Sequence, residues 1–245
     1  MILNTVKQLA NRFLDFLYPA TCHLCQCNLT HGSHLCEPCE DSLHLIEAPF
    51  CSRCGECYDG QISDEFICPN CHGLDFAFDF ARAALHSEGE GRDLVHDFKY
   101  RHQIHLSSEL GRLTKLALDD PRFCPYLESG ILIPVPLYWL RLRKRKFNQS
   151  EEIARSLTKL TNLTVVNALI RNRNTETQTR FSRKKRLENL NGAFDLKASC
   201  KPIISDRPVI LIDDVFTTGS TANECARVLI ENGASRVAIL TLLRG

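Results

Sequence analysis

The stretch Val209-Ile-Leu-Ile-Asp-Asp-Val-Phe-Thr-Thr-Gly-Ser-Thr221 decides the fold. Its apolar opening, Val209 to Ile212, follows Pro208 and predicts a buried parallel strand. Asp213 and Asp214 fall where that strand is expected to end. Small hydroxyl residues and a glycine come next, Thr217, Thr218, Gly219, Ser220 and Thr221. Ala222, Cys225, Ala226, Leu229 and Ile230 then repeat at helical spacing. A strand, a hydroxyl loop and a helix N-terminus in this order make an anion site. Backbone N–H groups and the positive end of the helix dipole face the ligand, and Gly219 lets the chain approach closely. Two carboxylates would repel a bare phosphate. Ribose hydroxyls and a magnesium ion suit them, which points to a sugar phosphate. The plainer alternative is a βα turn in which Thr-Thr-Gly only caps a helix.

These thirteen residues resemble the phosphoribosyl pyrophosphate (PRPP) signature of type I phosphoribosyltransferases. The resemblance implies that Asp213 and Asp214 meet the ribose hydroxyls and magnesium, and that Thr217 to Thr221 cradle the 5-phosphate. It implies an α/β fold with a mostly parallel sheet flanked by helices.

Length and composition set the frame. A chain of 245 residues suits one large domain, or one medium and one small. Of its 13 cysteines, ten lie between Cys22 and Cys71. The N-terminus lacks the pattern of a signal peptide and no stretch reaches transmembrane length, so a reducing cytoplasm is expected. Clustered Cys-x-x-Cys pairs there read as metal ligands rather than disulfides. Residues 1–80 hold Lys7, Arg12 and Arg53 against eleven acids, and the remainder carries 27 cations and 18 acids. Polyanions are therefore expected at the C-terminal two-thirds.

Leu3, Val6, Leu9, Ala10, Phe13, Leu14 and Leu17 form one stripe, predicting an amphipathic helix that ends before Pro19. It suits a membrane surface, a partner or the chain's own core. Cys22, Cys25, Cys36 and Cys39, then Cys51, Cys54, Cys68 and Cys71, have the spacing of two consecutive four-cysteine zinc ribbons. So few large apolar residues lie among them that metal is expected to fold them. Cys57 offers a rival to Cys51 in the second site, and cross-braced pairing of the knuckles fits the spacing as well. Gly55 after Cys54 favours Cys51 and Cys54. Cys27, His23, His31, His34 and His72 read as bystanders. Composition changes after Gly73, dividing the chain into 1–75, with the helix and ribbons, and 76–245, the phosphoribosyltransferase-like part.

Ile131-Leu-Ile-Pro-Val-Pro-Leu137 is the second strong strand, stopped by Pro134 and Pro136. A basic stretch follows immediately, with Arg141, Arg143, Lys144, Arg145 and Lys146, and a helix is expected from near Ser150. At a strand end of an open α/β sheet, such a loop can clamp pyrophosphate, bind nucleic acid or simply be solvated. Lys99, Pro134, Val135, Arg141 and Arg145 are the pyrophosphate-side candidates. Arg143, Lys144 and Lys146 are the nucleic-acid candidates. Arg171 to Asn191 is a long polar segment with Arg171, Gln178 and Arg186, suited to close over a bound polyanion.

Together these features resemble the ComF competence-protein family over almost the whole chain. The resemblance rests on the four Cys-x-x-Cys knuckles, Phe98-Lys99-Tyr100, Ile133-Pro-Val-Pro136, Arg145-x-Phe-Asn-Gln149, Gln178, Arg186, Asn189 and the signature. The chain departs from the family pattern at Lys146, where a glycine is frequent, and at Cys57, where a proline is common. The resemblance implies a role in DNA uptake during natural transformation, with single-stranded DNA handled by the basic domain and a protein partner of the uptake machinery on the ribbons. An active phosphoribosyltransferase that releases pyrophosphate to an unidentified acceptor is the alternative.

Overall fold

The computed structural model describes residues 20–29, 33–58, 60, 65–174 and 190–245. The N-terminal amphipathic stripe lies outside them, as do His31, Gln178, Phe181, Arg186 and Asn189. The chain forms two compact units, Met1–Leu43 and His44–Gly245. In the smaller, Cys22 N donates to Cys27 O at 2.8 Å, Thr21 bridges Asn28, and a short helix α1 (Glu37–Asp41) carries Pro38 in its first turn.

The larger unit runs β1 (Ala81–His86), α2 (Gly89–Tyr100), α3 (Ser107–Lys115), α4 (Cys124–Ser129), β2 (Ile131–Pro134), α5 (Trp139–Arg145), α6 (Gln149–Leu160) and β3 (Thr164–Val165). It continues with β4 (Leu169–Arg171), β5 (Phe194–Leu196), α7 (Lys201–Ile204), β6 (Pro208–Phe216), α8 (Ser220–Glu231) and β7 (Arg236–Arg244). Five strands form one parallel sheet in the order β1-β7-β6-β2-β3, while β4 and β5 make a separate antiparallel ribbon. Val209 to Ile212 and Val237 to Leu243 are buried throughout, as strands covered on both faces must be. This is the α/β class read from the sequence.

Topology places a crevice. From β2 the chain moves outward to β3, and from β6 outward to β7 on the opposite side. The carboxyl ends of β2 and β6 therefore flank the point where strand order reverses. Pro134 is the last β2 residue in register with β6, opposite Ile212, and Val135 N donates the final bond to Ile212 O at 2.9 Å. The expected proline stop is thus in place. Strand β6 itself does not end at Ile212. It stays paired with β7 through Phe216 opposite Arg244, so Asp213 and Asp214 lie inside a strand whose β2 side has opened. The basic stretch also differs from expectation: Trp139–Arg145 is helical rather than a loop, as its leucines and cations are good helix formers.

The second cysteine set packs with the sheet, and the composition change near residue 75 falls inside the larger unit. Cys51, Cys54, Cys68 and Cys71 share one apolar cluster with Phe76, Phe78 and Phe216. Ala81 N donates to Arg53 O at 2.8 Å, and Arg122 reaches Ser52 O at 2.6 Å. Residues 44–46 run beside β1, with Ile46 N on Ala84 O and His86 N on His44 O, both at 2.9 Å.

Candidate functional site

The site is assembled at the opened end of β6. Asp213 accepts from Ser150 Oγ and from Asp214 N, each at 2.9 Å. Ser150 stands in the first turn of α6, whose N-cap Asn148 accepts from Ser150 N at 3.2 Å and donates to Val135 O at 3.0 Å. One asparagine therefore ties the start of α6 to the end of β2. Asp214 is buried and pairs with Lys99 Nζ at 2.8 Å, from the last turn of α2. Lys99, expected among the pyrophosphate-side groups, thus lies on the acid pair. Burial and the neighbouring Asp214 charge push Asp213 up to about 7, against the bonds from Asp214 N and Ser150.

Past the acids, Gly219 adopts φ 78° and caps α8, and Ser220 is its first helical residue. A Cβ at 219 would lie 2.6 Å from Phe216 Cζ, so both conformation and space demand glycine. Thr218 Oγ1 and Ser220 Oγ share a hydrogen bond of 2.9 Å, which folds the hydroxyls over the start of α8. The first N–H groups of any helix lack an intrahelical partner. Thr217 is exposed, and Thr221 half-buried. Arg244, which the motifs did not signal, donates from Nη1 to Phe216 O at 3.3 Å and Thr217 O at 3.1 Å.

On the β2 side, Pro134 and Val135 are buried and Arg141 is half-exposed. Arg145 donates to Gln149 Oε1 at 2.9 Å and to Tyr100 Oη at 3.3 Å, joining α5 to α6 and α2. Arg143, Lys144 and Lys146 are exposed. Lys146 has φ 67° at the C-cap of α5, the left-handed position that glycine commonly fills. This accounts for the glycine of the family pattern. Arg171 ends strand β4, with its guanidinium 5.2 Å from the Phe194 ring centre. Burial, with the like charge of Arg141 behind it, pushes Arg171 down, while Asp213 pulls the other way. A cavity of about 310 Å³ runs between these parts, lined by Pro136, Trp139, Asn148, Asn167 and Arg171.

The cysteines form two sets. The thiols of Cys51, Cys54, Cys68 and Cys71 all lie within 4.8 Å of one another and all four residues are buried. Cys68 N donates to Cys51 Sγ at 3.3 Å, and Gly55 N to Cys51 O at 2.9 Å, which makes the knuckle. Gly55 has φ 66°, and a Cβ there would lie 2.9 Å from Ala81 O. Cys57 lies apart, its thiol 3.9 Å from Glu47 O. Four convergent soft donors and a donated N–H···S bond fit tetrahedral zinc, with pairing along the chain rather than cross-braced. The first set is more exposed. Cys22, Cys25, Cys27 and Cys36 converge within 4.8 Å. Cys39, the fourth ligand expected from the spacing, is not among these four convergent thiols. Cys27 therefore joins the set rather than standing aside. Among the described residues, no histidine belongs to either set.

Comparisons with known proteins agree with this layout. Residues 13–72 match a double zinc ribbon domain. The chain is 31% identical over 221 residues to "Competence protein F" of Haemophilus influenzae, covering 85% of this chain and 96% of that protein. It is 34% identical to "DNA utilization protein YhgH" of Escherichia coli O157:H7, over 62% of this chain and 66% of that one. It is 38% identical to "Competence protein ComFC" of Bacillus subtilis, over 46% and 44% respectively. A solved structure, "Structure of the allosteric regulatory enzyme of purine biosynthesis", aligns over 56% of this chain and 25% of that one, a slight likeness at 19% identity and TM-score 0.37. With a relative matched over nearly its full length and both cysteine sets in place, the chain belongs to the ComF competence-protein family.

Proposed function

We propose that the crevice between β2 and β6 binds PRPP with magnesium, and that the chain acts in DNA uptake by handling incoming single-stranded DNA. The observation that carries the ligand reading is the acid pair fixed near the end of β6 by Ser150 and Lys99, in the strand that leads into the glycine-capped start of α8. Asp213 and Asp214 meet the ribose hydroxyls and the metal, and Thr217 to Thr221 receive the 5-phosphate. Groups from Pro134 to Arg145 take the pyrophosphate. Ser150 aims Asp213, and Lys99 fixes Asp214 while offsetting one negative charge. Magnesium, when bound, neutralises the acid pair so that both carboxylates and a polyanion can share one site. The DNA reading is supported by the names of the relatives and by the exposed cations Arg143, Lys144 and Lys146.

Calorimetry of the zinc-loaded chain with PRPP should show heat only with magnesium, and Asp213→Ala/Asp214→Ala should remove it without unfolding the sheet. Absence of heat in a folded wild-type sample would sink the ligand reading. Single-stranded DNA affinity should fall when Arg143, Lys144 and Lys146 are neutralised, and should weaken steeply with salt. A second reading is active phosphoribosyl transfer with release of pyrophosphate. The cavity beside Trp139 and Arg171 supports it, since it has room for an acceptor. Pyrophosphate release in the presence of candidate acceptors, DNA among them, separates binding from turnover.

A further inference from the structure

Arg244 is the last residue of β7, and its side chain is 9% exposed. Its guanidinium has two sets of partners. On one side Nε donates to Cys54 O at 3.2 Å, and Nη2 donates to Cys54 Sγ at 3.7 Å and Glu56 Oε2 at 3.3 Å. On the other side Nη1 holds the carbonyls of Phe216 and Thr217, where β6 turns into the hydroxyl loop. The guanidinium also lies 5.3 Å from the Phe216 ring centre, and that ring is the floor beneath Gly219. Phe78, in the same apolar cluster as the four thiols, meets Phe216 edge-on at 6.0 Å. Cys54 belongs to the second zinc-fitting set. One planar cation therefore spans from a metal ligand to the first carbonyls of the phosphate loop. A rigid fork of donors can make both sets of bonds at once, which a lysine ammonium on a flexible stem cannot.

We propose that Arg244 is a positioning residue that couples the second cysteine set to the phosphate loop, so that zinc at Cys51–Cys71 and ligand at Thr217–Thr221 stabilise each other. The proposal rests on the ligand reading given above for the identity of that ligand. Coupling of this kind is reciprocal: whatever zinc does for ligand affinity, ligand must do for zinc retention. The metal set then has a purpose beyond holding its own loop, because it anchors the arginine that shapes the anion cradle.

The test uses the full zinc-loaded chain under reducing conditions, after calorimetry has established whether wild type binds PRPP with magnesium. A chelator opens the cysteine sets, and thiol alkylation read by peptide mass spectrometry reports which set opens. Saturating PRPP should slow opening of Cys51–Cys71 about tenfold in wild type and leave Cys22–Cys39 unaffected, a factor set by two hydrogen bonds of ordinary strength. Arg244→Ala should lose this protection, and so should Arg244→Lys, which keeps the charge but not the fork. A merely structural role would speed opening equally with and without ligand. Protection that persists in both variants, or that is missing from a wild type that binds PRPP, overturns the proposal. Should calorimetry show no binding, the ligand reading fails by itself, and hydrogen exchange of the zinc-loaded chain decides the Arg244 contact. Both variants should then raise exchange at Thr217–Thr221 and at Cys54–Cys57 together, and a rise on one side alone would overturn the coupling.

Discussion

Two regions of the His44–Gly245 unit gather polar and titratable groups, and they treat them in opposite ways. Around Cys51, Cys54, Cys68 and Cys71 the groups support one another. The thiols converge, the knuckle N–H groups bond to sulfur and carbonyl, and Arg53 and Arg122 fasten the loop to the sheet. Around Asp213 and Asp214 the groups oppose one another. Two carboxylates are adjacent, and burial and like charge raise Asp213. The contrast separates a site whose groups satisfy one another from one that keeps like charges together.

The largest effect should come from breaking the completed region. Cys51→Ser should cost the larger unit about 3 kcal/mol or more, because metal-binding free energy there is folding free energy. Scanning calorimetry, with zinc counted by elemental analysis, checks this. Cys27→Ser, in the more exposed first set, should leave the sheet's transition unchanged. Equal losses from the two variants would erase the distinction.

The strained region should respond with the opposite sign. Asp213 keeps its proton to about pH 7 in the fold, against about pH 4 in an unfolded chain. The folded state binds more protons between those limits. The stabilisation is therefore full below about pH 4 and is lost as pH rises through 7. Asp213→Asn, which still accepts from Ser150, should stabilise the ligand-free chain by about 1 kcal/mol or more at pH 8 and by nothing at pH 4. It should also abolish the PRPP heat. A variant that destabilises at pH 8 would show that the acid pair is not strained.

The smallest effect should come from Lys146→Gly. Relief of a left-handed backbone should stabilise by up to ~1 kcal/mol, partly offset by glycine's greater freedom when unfolded. Chemical denaturation measures it, and a loss of stability would mean that the lysine side chain contributes more than its backbone costs.

Much of this was legible in the sequence, for a physical reason. Strand β6, the hydroxyl loop, helix α8, the proline stop and the knuckles are local patterns, in which a residue and its nearest neighbours fix the outcome. What stayed hidden depends on partners far along the chain. Nothing near Asp213 in sequence announces Ser150, 63 residues earlier, as its hydrogen-bond donor. The charge of Lys99 was visible in the sequence, but its pairing with Asp214 was not. Arg244 sits in a strand without any motif, and its partners Cys54 and Glu56 are 190 and 188 residues away. Cys27 was passed over because two Cys-x-x-Cys pairs already satisfied the arithmetic of zinc. Strand β6 outran its expected end because β7 continues beside it, and pairing is a property of two strands.

The segment that runs beside β1 carries a practical consequence. Strand β1 lies at one edge of the sheet, and Leu45 bridges Leu85 while residues 44 and 46 take up backbone groups of His86 and Ala84. An uncovered edge strand is an invitation to pair with another molecule and aggregate. A shortened chain starting at residue 76 would carry the whole parallel sheet yet expose that edge, and would lose Cys54 as the partner of Arg244. One starting at His44 would keep both.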